Sequence, residues 1–172
     1  MIITVFGGGV ISEEEYQQAL KLGEKIAKKG YTLKNGGYGG TMEAVSKGCC
    51  ESKGTVIGIC VKGHPFSKTG KPNEYLTEIM EEKTLHERLK KLLETDVIII
   101  LPGSIGTLGE LFISWAESIA KEKLSQKAPV IYLVGEKNKK LLNFLKDNGF
   151  INAEYLKHIR QLDTINSIEI LN

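Results

Sequence analysis

The run Val97-Ile-Ile-Ile-Leu101 constrains this chain more than any other segment. It is unbroken and apolar, it carries three β-branched isoleucines, and Pro102 stops it. A run of that length and composition suits a strand buried on both faces, and a sheet made of such strands has to be covered by helices on both sides. The remaining sequence supplies them. Short apolar runs at Ile2–Phe6, 31–33, 55–61 and Val130–Val134 alternate with helix-length segments at 13–29, 41–53, 85–94, 107–121 and 139–148. Ser12 with Glu15, and Thr84 with Glu87, have the spacing of capping boxes, while Gly30, Gly54 and Gly149 close the helices they follow. In the first helix Tyr16, Ala19, Leu20, Gly23, Ile26 and Ala27 fall on one face. Residues 62–73 read as a long mobile loop and 75–81 as an extended segment. The tail from Ile151 reads as a short helix, an extended stretch at Ile159–Leu162 and a terminal helical turn. Strand-helix alternation of this kind predicts an α/β fold, Rossmann-like and doubly wound, with a mostly parallel sheet and helices on both faces. At 172 residues the expectation is a single domain spanning 1–172.

Charge and composition exclude several classes of partner. A formal net charge of +2, with no Lys/Arg block and no aromatic-basic stripe, gives no reason to expect nucleic acid. No apolar run approaches the length of a membrane span, and the chain enters its first strand without a basic leader, so a cytoplasmic protein is expected. Cys49, Cys50 and Cys60 form neither a CxxC pair nor an even framework, and read as buried thiols. His64, His86 and His158 match no ligand spacing, so no metal is assigned.

Three glycine loops follow strand ends, where open α/β sheets bind ligands. They contribute Gly8 and Gly9; then Gly36, Gly37, Gly39 and Gly40 with Thr41; then Gly103, Ser104, Ile105, Gly106 and Thr107. In the third, glycine lets the backbone turn and approach a ligand, Thr107 is expected to cap the helix, and amides at the helix start attract a phosphate. Glu110 stands about one turn further on. The same residues also suit a plain proline-glycine turn between core elements. A dinucleotide fingerprint fits poorly, because Ser12 occupies the third glycine position and the second strand ends in Lys34-Asn35 rather than an acid. No Gly-Lys-Ser/Thr ending exists for a Walker A loop. Arg88 lies beside the apolar face formed by Leu85, Leu89, Leu92 and Leu93, on the helix that feeds the 97–101 strand. There it is either a solvated surface residue or a paired donor to phosphate or carboxylate.

Pro102-Gly-Ser-Ile-Gly-Thr-Leu-Gly-Glu110 resembles the PGGxGTxxE motif of the LOG family, the cytokinin-activating nucleoside-monophosphate phosphoribohydrolases, many of whose relatives carry the label "possible lysine decarboxylase". Gly36-Gly-Tyr-Gly-Gly-Thr-Met-Glu-Ala44 is similar to the family's second glycine motif, and Leu85-His-Glu-Arg88 to its arginine-bearing segment. The resemblance reaches from the first strand to about residue 135. It implies a phosphate on the 103–107 turn, a ribose near Glu110 and Arg88 as the catalytic pair, and a base toward the Gly8 and Gly36 loops. It also implies a homodimer paired through the helices that carry Leu85, Leu92, Phe112, Ile113 and Trp115. Hydrolysis of an N-glycosidic bond passes through an oxocarbenium-like state that a carboxylate stabilises, with Arg88 expected to keep Glu110 ionised. The expected products are free base and ribose 5-phosphate, without a cofactor; no lysine is identifiable as a Schiff-base residue. Ser104 replaces the second glycine of the motif, Gly109 replaces its first glutamate, and the link at Glu94-Thr-Asp96 is one residue short. A non-catalytic carrier or sensor of a phosphorylated nucleotide or cofactor would tolerate such changes.

Overall fold

The computed structural model describes residues 1–61 and 71–172. Most of the loop expected at 62–73 therefore lies outside the described residues. Seven strands, β1 (Ile2–Phe6), β2 (Thr32–Asn35), β3 (Val56–Val61), β4 (Glu78–Glu82), β5 (Val97–Ile100), β6 (Val130–Val134) and β7 (Ile159–Leu162), form one sheet in the order β4-β3-β2-β1-β5-β6-β7. Every adjacent pair is parallel. The sheet is thus wholly parallel, and the chain changes winding direction between β1 and β5.

The alternation of side chains along each strand divides the core in two. Ile3, Val5, Leu33, Val56, Val97, Ile99, Tyr132 and Val134 pack against helices α1 (Glu13–Lys28) and α2 (Thr41–Glu51). Ile165, Ile168 and Leu171 of the tail complete that layer. On the opposite face Phe6, Ile98, Ile100, Ile131 and Leu133 meet α3 (Leu85–Leu93), α4 (Ile105–Lys123) and α5 (Glu136–Asp147) through Leu92, Leu111, Trp115, Leu141 and Leu142. A strand covered on both faces needs apolar residues at every position, which is why the 97–101 run has no alternation. Cys49 and Cys60 are buried thiols and all three cysteines are free.

Three expectations are corrected. The fourth helix begins at Ile105 with Ser104 at its N-cap, two residues before Thr107, whose side chain is buried inside the first turn and caps nothing. Leu85 is exposed rather than part of the α3 core face, because the helix has only just started and the sheet lies under its last turns. Leu92 and Trp115, counted among the apolar residues available for pairing, are buried within the subunit.

Candidate functional site

The crevice at the switch between β1 and β5 is assembled from all three glycine loops. Gly8 holds them together: its N–H donates to Pro102 O (3.1 Å) and its carbonyl accepts from Thr41 N (2.9 Å). Gly40, the N-cap of α2, has φ +65 and packs so tightly on Gly8 and Gly9 that a Cβ would overlap the Gly8 carbonyl. Thr41 is buried against Gly7, and Thr107 fills the space a Cβ on Gly103 would need. Gly37 donates to Asn35 Oδ1 (2.7 Å) and accepts from Asn73 N (2.8 Å), which fixes the second loop, while Gly39 is half-buried beside Glu43. Gly9, Ser104, Ile105 and Gly106 form the exposed rim, Ile105 at 81 % exposure. Among the described residues, no atom lies within 4 Å of a Cβ built on Gly9 or Gly106.

At the start of α4 the Ser104 side chain makes no capping hydrogen bond. The ladder's first bond runs from Leu108 N to Ser104 O, so the amides of Ile105, Gly106 and Thr107 precede it. Together with the helix dipole they make a site for an anion. Arg88 and Glu110 meet beside it, with Nη1 and Oε1 3.7 Å apart. Arg88 is only 8 % exposed, not a solvated surface residue. Its Nε donates to Ile59 O (2.9 Å), its guanidinium lies 5.9 Å from the Tyr38 ring, and Nη2 occupies the space above Gly36 that a Cβ would claim. Gly36 is thereby explained by packing against an arginine as well as by any ligand.

The Glu110 side chain is 18 % exposed, and burial pushes its pKa up to about 7, against the opposing pull of Arg88. The expectation that Arg88 keeps the carboxylate ionised is therefore corrected. At 3.7 Å the pair makes no hydrogen bond, and one nearby charge offsets only part of the desolvation.

Sequence reasoning missed Tyr38 and Asn35. The Tyr38 hydroxyl donates to Val61 O (2.7 Å) and accepts from Val61 N (2.9 Å), tying the glycine loop to the end of β3. Asn35, wholly buried, donates to Ser46 Oγ (2.8 Å) while its carbonyl oxygen receives Gly37 N. Both left a signal, an aromatic residue inside a glycine run and an amide ending a buried strand.

Comparison with known proteins finds related sequences and a shared fold. The model of the SLOG cluster4 family matches residues 1–158. An uncharacterized protein of Archaeoglobus fulgidus is 35 % identical over 132 residues, covering 76 % of this chain and 83 % of its own. The cytokinin riboside 5′-monophosphate phosphoribohydrolase of Mycobacterium tuberculosis is 26 % identical over 159 residues, 88 % of this chain and 82 % of its own. Among solved structures, the molybdenum cofactor binding protein of Rippkaea orientalis shares the fold, with TM-score 0.71 at 21 % identity over 95 % of this chain and 89 % of that one.

Proposed function

The chain belongs to the SLOG cluster4 family, and from that premise and the β1–β5 crevice we propose that it hydrolyses a nucleoside 5′-monophosphate to free base and ribose 5-phosphate. The observation that carries this reading is the Arg88–Glu110 pair, largely enclosed and placed beside uncapped helix amides. A phosphate bound to the amides of Ile105, Gly106 and Thr107 puts the ribose toward Glu110 and Arg88, with the base against the Gly8 and Gly36 loops. As the glycosidic bond breaks, positive charge develops on the sugar, and an ionised Glu110 stabilises it or orients the attacking water. Arg88, held by Ile59 O, positions the phosphosugar. Because Glu110 carries a proton below about pH 7, base release rises as the pH passes through that value. The phosphoribohydrolase relative supports the reading. Incubation with AMP and adenine-modified monophosphates, followed by chromatography for free base, tests it. Tight binding with no base released from a broad nucleotide panel would overturn it.

A second reading, a carrier or sensor of a phosphorylated nucleotide or cofactor, is favoured by a separate observation. Gly109, where the LOG motif has a glutamate, is exposed, and among the described residues no atom lies within 4 Å of a Cβ built there, so the second carboxylate of the motif is missing beside Glu110. The shared fold of a molybdenum cofactor binding protein supports this alternative. Either function is proposed for a cytoplasmic, twofold dimer paired through α3 and α4, on which Leu85, Phe112 and Ile113 are exposed. Light scattering showing a 19.0 kDa monomer at micromolar concentration would remove the dimer.

A further inference from the structure

Thr4 and Lys34 stand next to each other in the β1–β2 register, and both are buried in the middle of the sheet. Neither residue type belongs there by composition. Lys34 has no carboxylate within ion-pair distance among the described residues, and burial holds its pKa below the usual lysine value. A methionine would fill comparable space without the cost of desolvating an ammonium. What the polar atoms supply is anchorage for one end of one helix. Lys34 Nζ donates to Lys91 O (2.9 Å) and Glu94 O (2.6 Å), and Thr4 Oγ1 donates to Leu92 O (2.8 Å). These carbonyls lie at the C-terminus of α3, where the helix leaves acceptors unpaired and its dipole is negative.

The helix so gripped carries Arg88, and the strand that grips it runs two residues later into Gly36, directly beneath the guanidinium. We infer that Lys34, with Thr4 beside it, is a positioning residue for Arg88. Its two bonds fix the height of α3 over the β2 loop, so that Nε reaches Ile59 O and Nη1 faces Glu110. This role rests on the reading of the crevice as a phosphosugar site. At the opposite end of the helix Thr84 accepts from Glu87 N (3.2 Å), so α3 is secured on both sides of Arg88.

A double-mutant cycle tests the inference, with AMP as the calorimetric probe on wild type, Lys34→Met, Arg88→Ala and the double variant. The second readout is the Arg88 Nε–Hε resonance, identified by its loss in Arg88→Ala. Lys34→Met is expected to move or broaden that resonance and to weaken AMP binding about tenfold, with no further weakening once Arg88 is gone. An unmoved resonance, or equal weakening in both backgrounds, overturns the inference and leaves Lys34 a residue of the fold alone. Should Lys34→Met not fold, the isosteric Thr4→Val, which frees only Leu92 O, is judged by the same readouts with an effect of about threefold. If wild type does not bind AMP, the crevice reading fails, while the resonance still decides whether Lys34 positions Arg88.

Discussion

At the start of α1, Ser12 accepts from Glu15 N (3.2 Å) and Glu15 reaches back to Ser12 N (2.8 Å), so the helix satisfies its own first turn. At the start of α4, Ser104 has the same kind of side chain and makes no such bond. The other helices divide the same way. Thr84 caps α3, although its hydroxyl, rather than its backbone, meets the Glu87 carboxylate (3.0 Å), whereas Gly40 leaves α2 without a side-chain cap. Gly135 likewise leaves α5 without a side-chain cap, so the open starts are those of α2, α4 and α5; Gly8 bonds to the loops that open α2 and α4 at the β1–β5 crevice, while the closed start of α1 follows the Gly8 loop directly. A side-chain cap is worth about 1 kcal/mol, and leaving it out where a ligand can take its place keeps the amides free for an anion. The start of α4 thus leaves its amides open to an anion, whereas the start of α1 uses its own side chains to satisfy them.

The contrast breaks most severely at Gly40. With φ +65 and no room beside Gly8 and Gly9, Gly40→Ala is expected to lose about 3 kcal/mol or more, lowering Tm by roughly 10 °C and abolishing AMP binding. Unchanged melting would show that α2 does not depend on this contact. Next in size is Glu110→Gln, which keeps the shape of the side chain and removes its charge. If the carboxylate serves the transition state, turnover falls by about 100-fold while AMP affinity is nearly retained. The same variant carries a stability signature. The folded pKa of about 7 lies above the ordinary 4.5, so the native state binds the extra proton between those values and wild type loses stability as the pH rises through them. Glu110→Gln should therefore match wild type near pH 4 and exceed it by roughly 1–3 kcal/mol at pH 8 in denaturant titrations.

A smaller effect sharpens the reading of the open start. Among the described residues nothing lies within 4 Å of a Cβ on Gly106, so Gly106→Val should leave the global fold intact and weaken phosphate or AMP binding by about tenfold, because only a ligand requires the close approach. Unaltered affinity in the folded variant would move the anion away from α4. At the closed start, Ser12→Ala should cost about 1 kcal/mol in chemical denaturation with no change in AMP affinity. A loss of affinity there would erase the distinction between the two kinds of helix end.

Much of the architecture was legible. The limits read for β1, β6 and β7 coincide with the structure, since β1 and β6 are short apolar runs and β7 is apolar at both ends. The helix starts were harder to place. Ser104 adopts an extended conformation and Ile105 begins the helix while almost fully exposed, so no apolar periodicity announced the first turn of α4. The fifth helix likewise starts at Glu136, three residues before the expected Lys139, because its polar first turn includes Asn138, a buried amide that donates to Ile100 O (3.2 Å) and Val134 O (2.9 Å). Periodicity detects apolar burial and misses polar residues buried for their hydrogen bonds.

The sequence by itself determined the strand-helix alternation, the parallel sheet and the three glycine loops at strand ends, since these follow from side-chain period, chain length and local turn chemistry. It also marked Arg88 and Glu110 as a pair through their motifs. Only the tertiary structure decided their state. Arg88 is buried because Ile59 O, the Tyr38 ring and Gly36 receive it, and Glu110 is lifted to about 7 because desolvation outweighs the one cation beside it. Those environments are built from α3, α4 and the ends of β2 and β3, brought together across the sheet. The electrostatic cost of a buried charge depends on all of them at once, which no window along the chain contains.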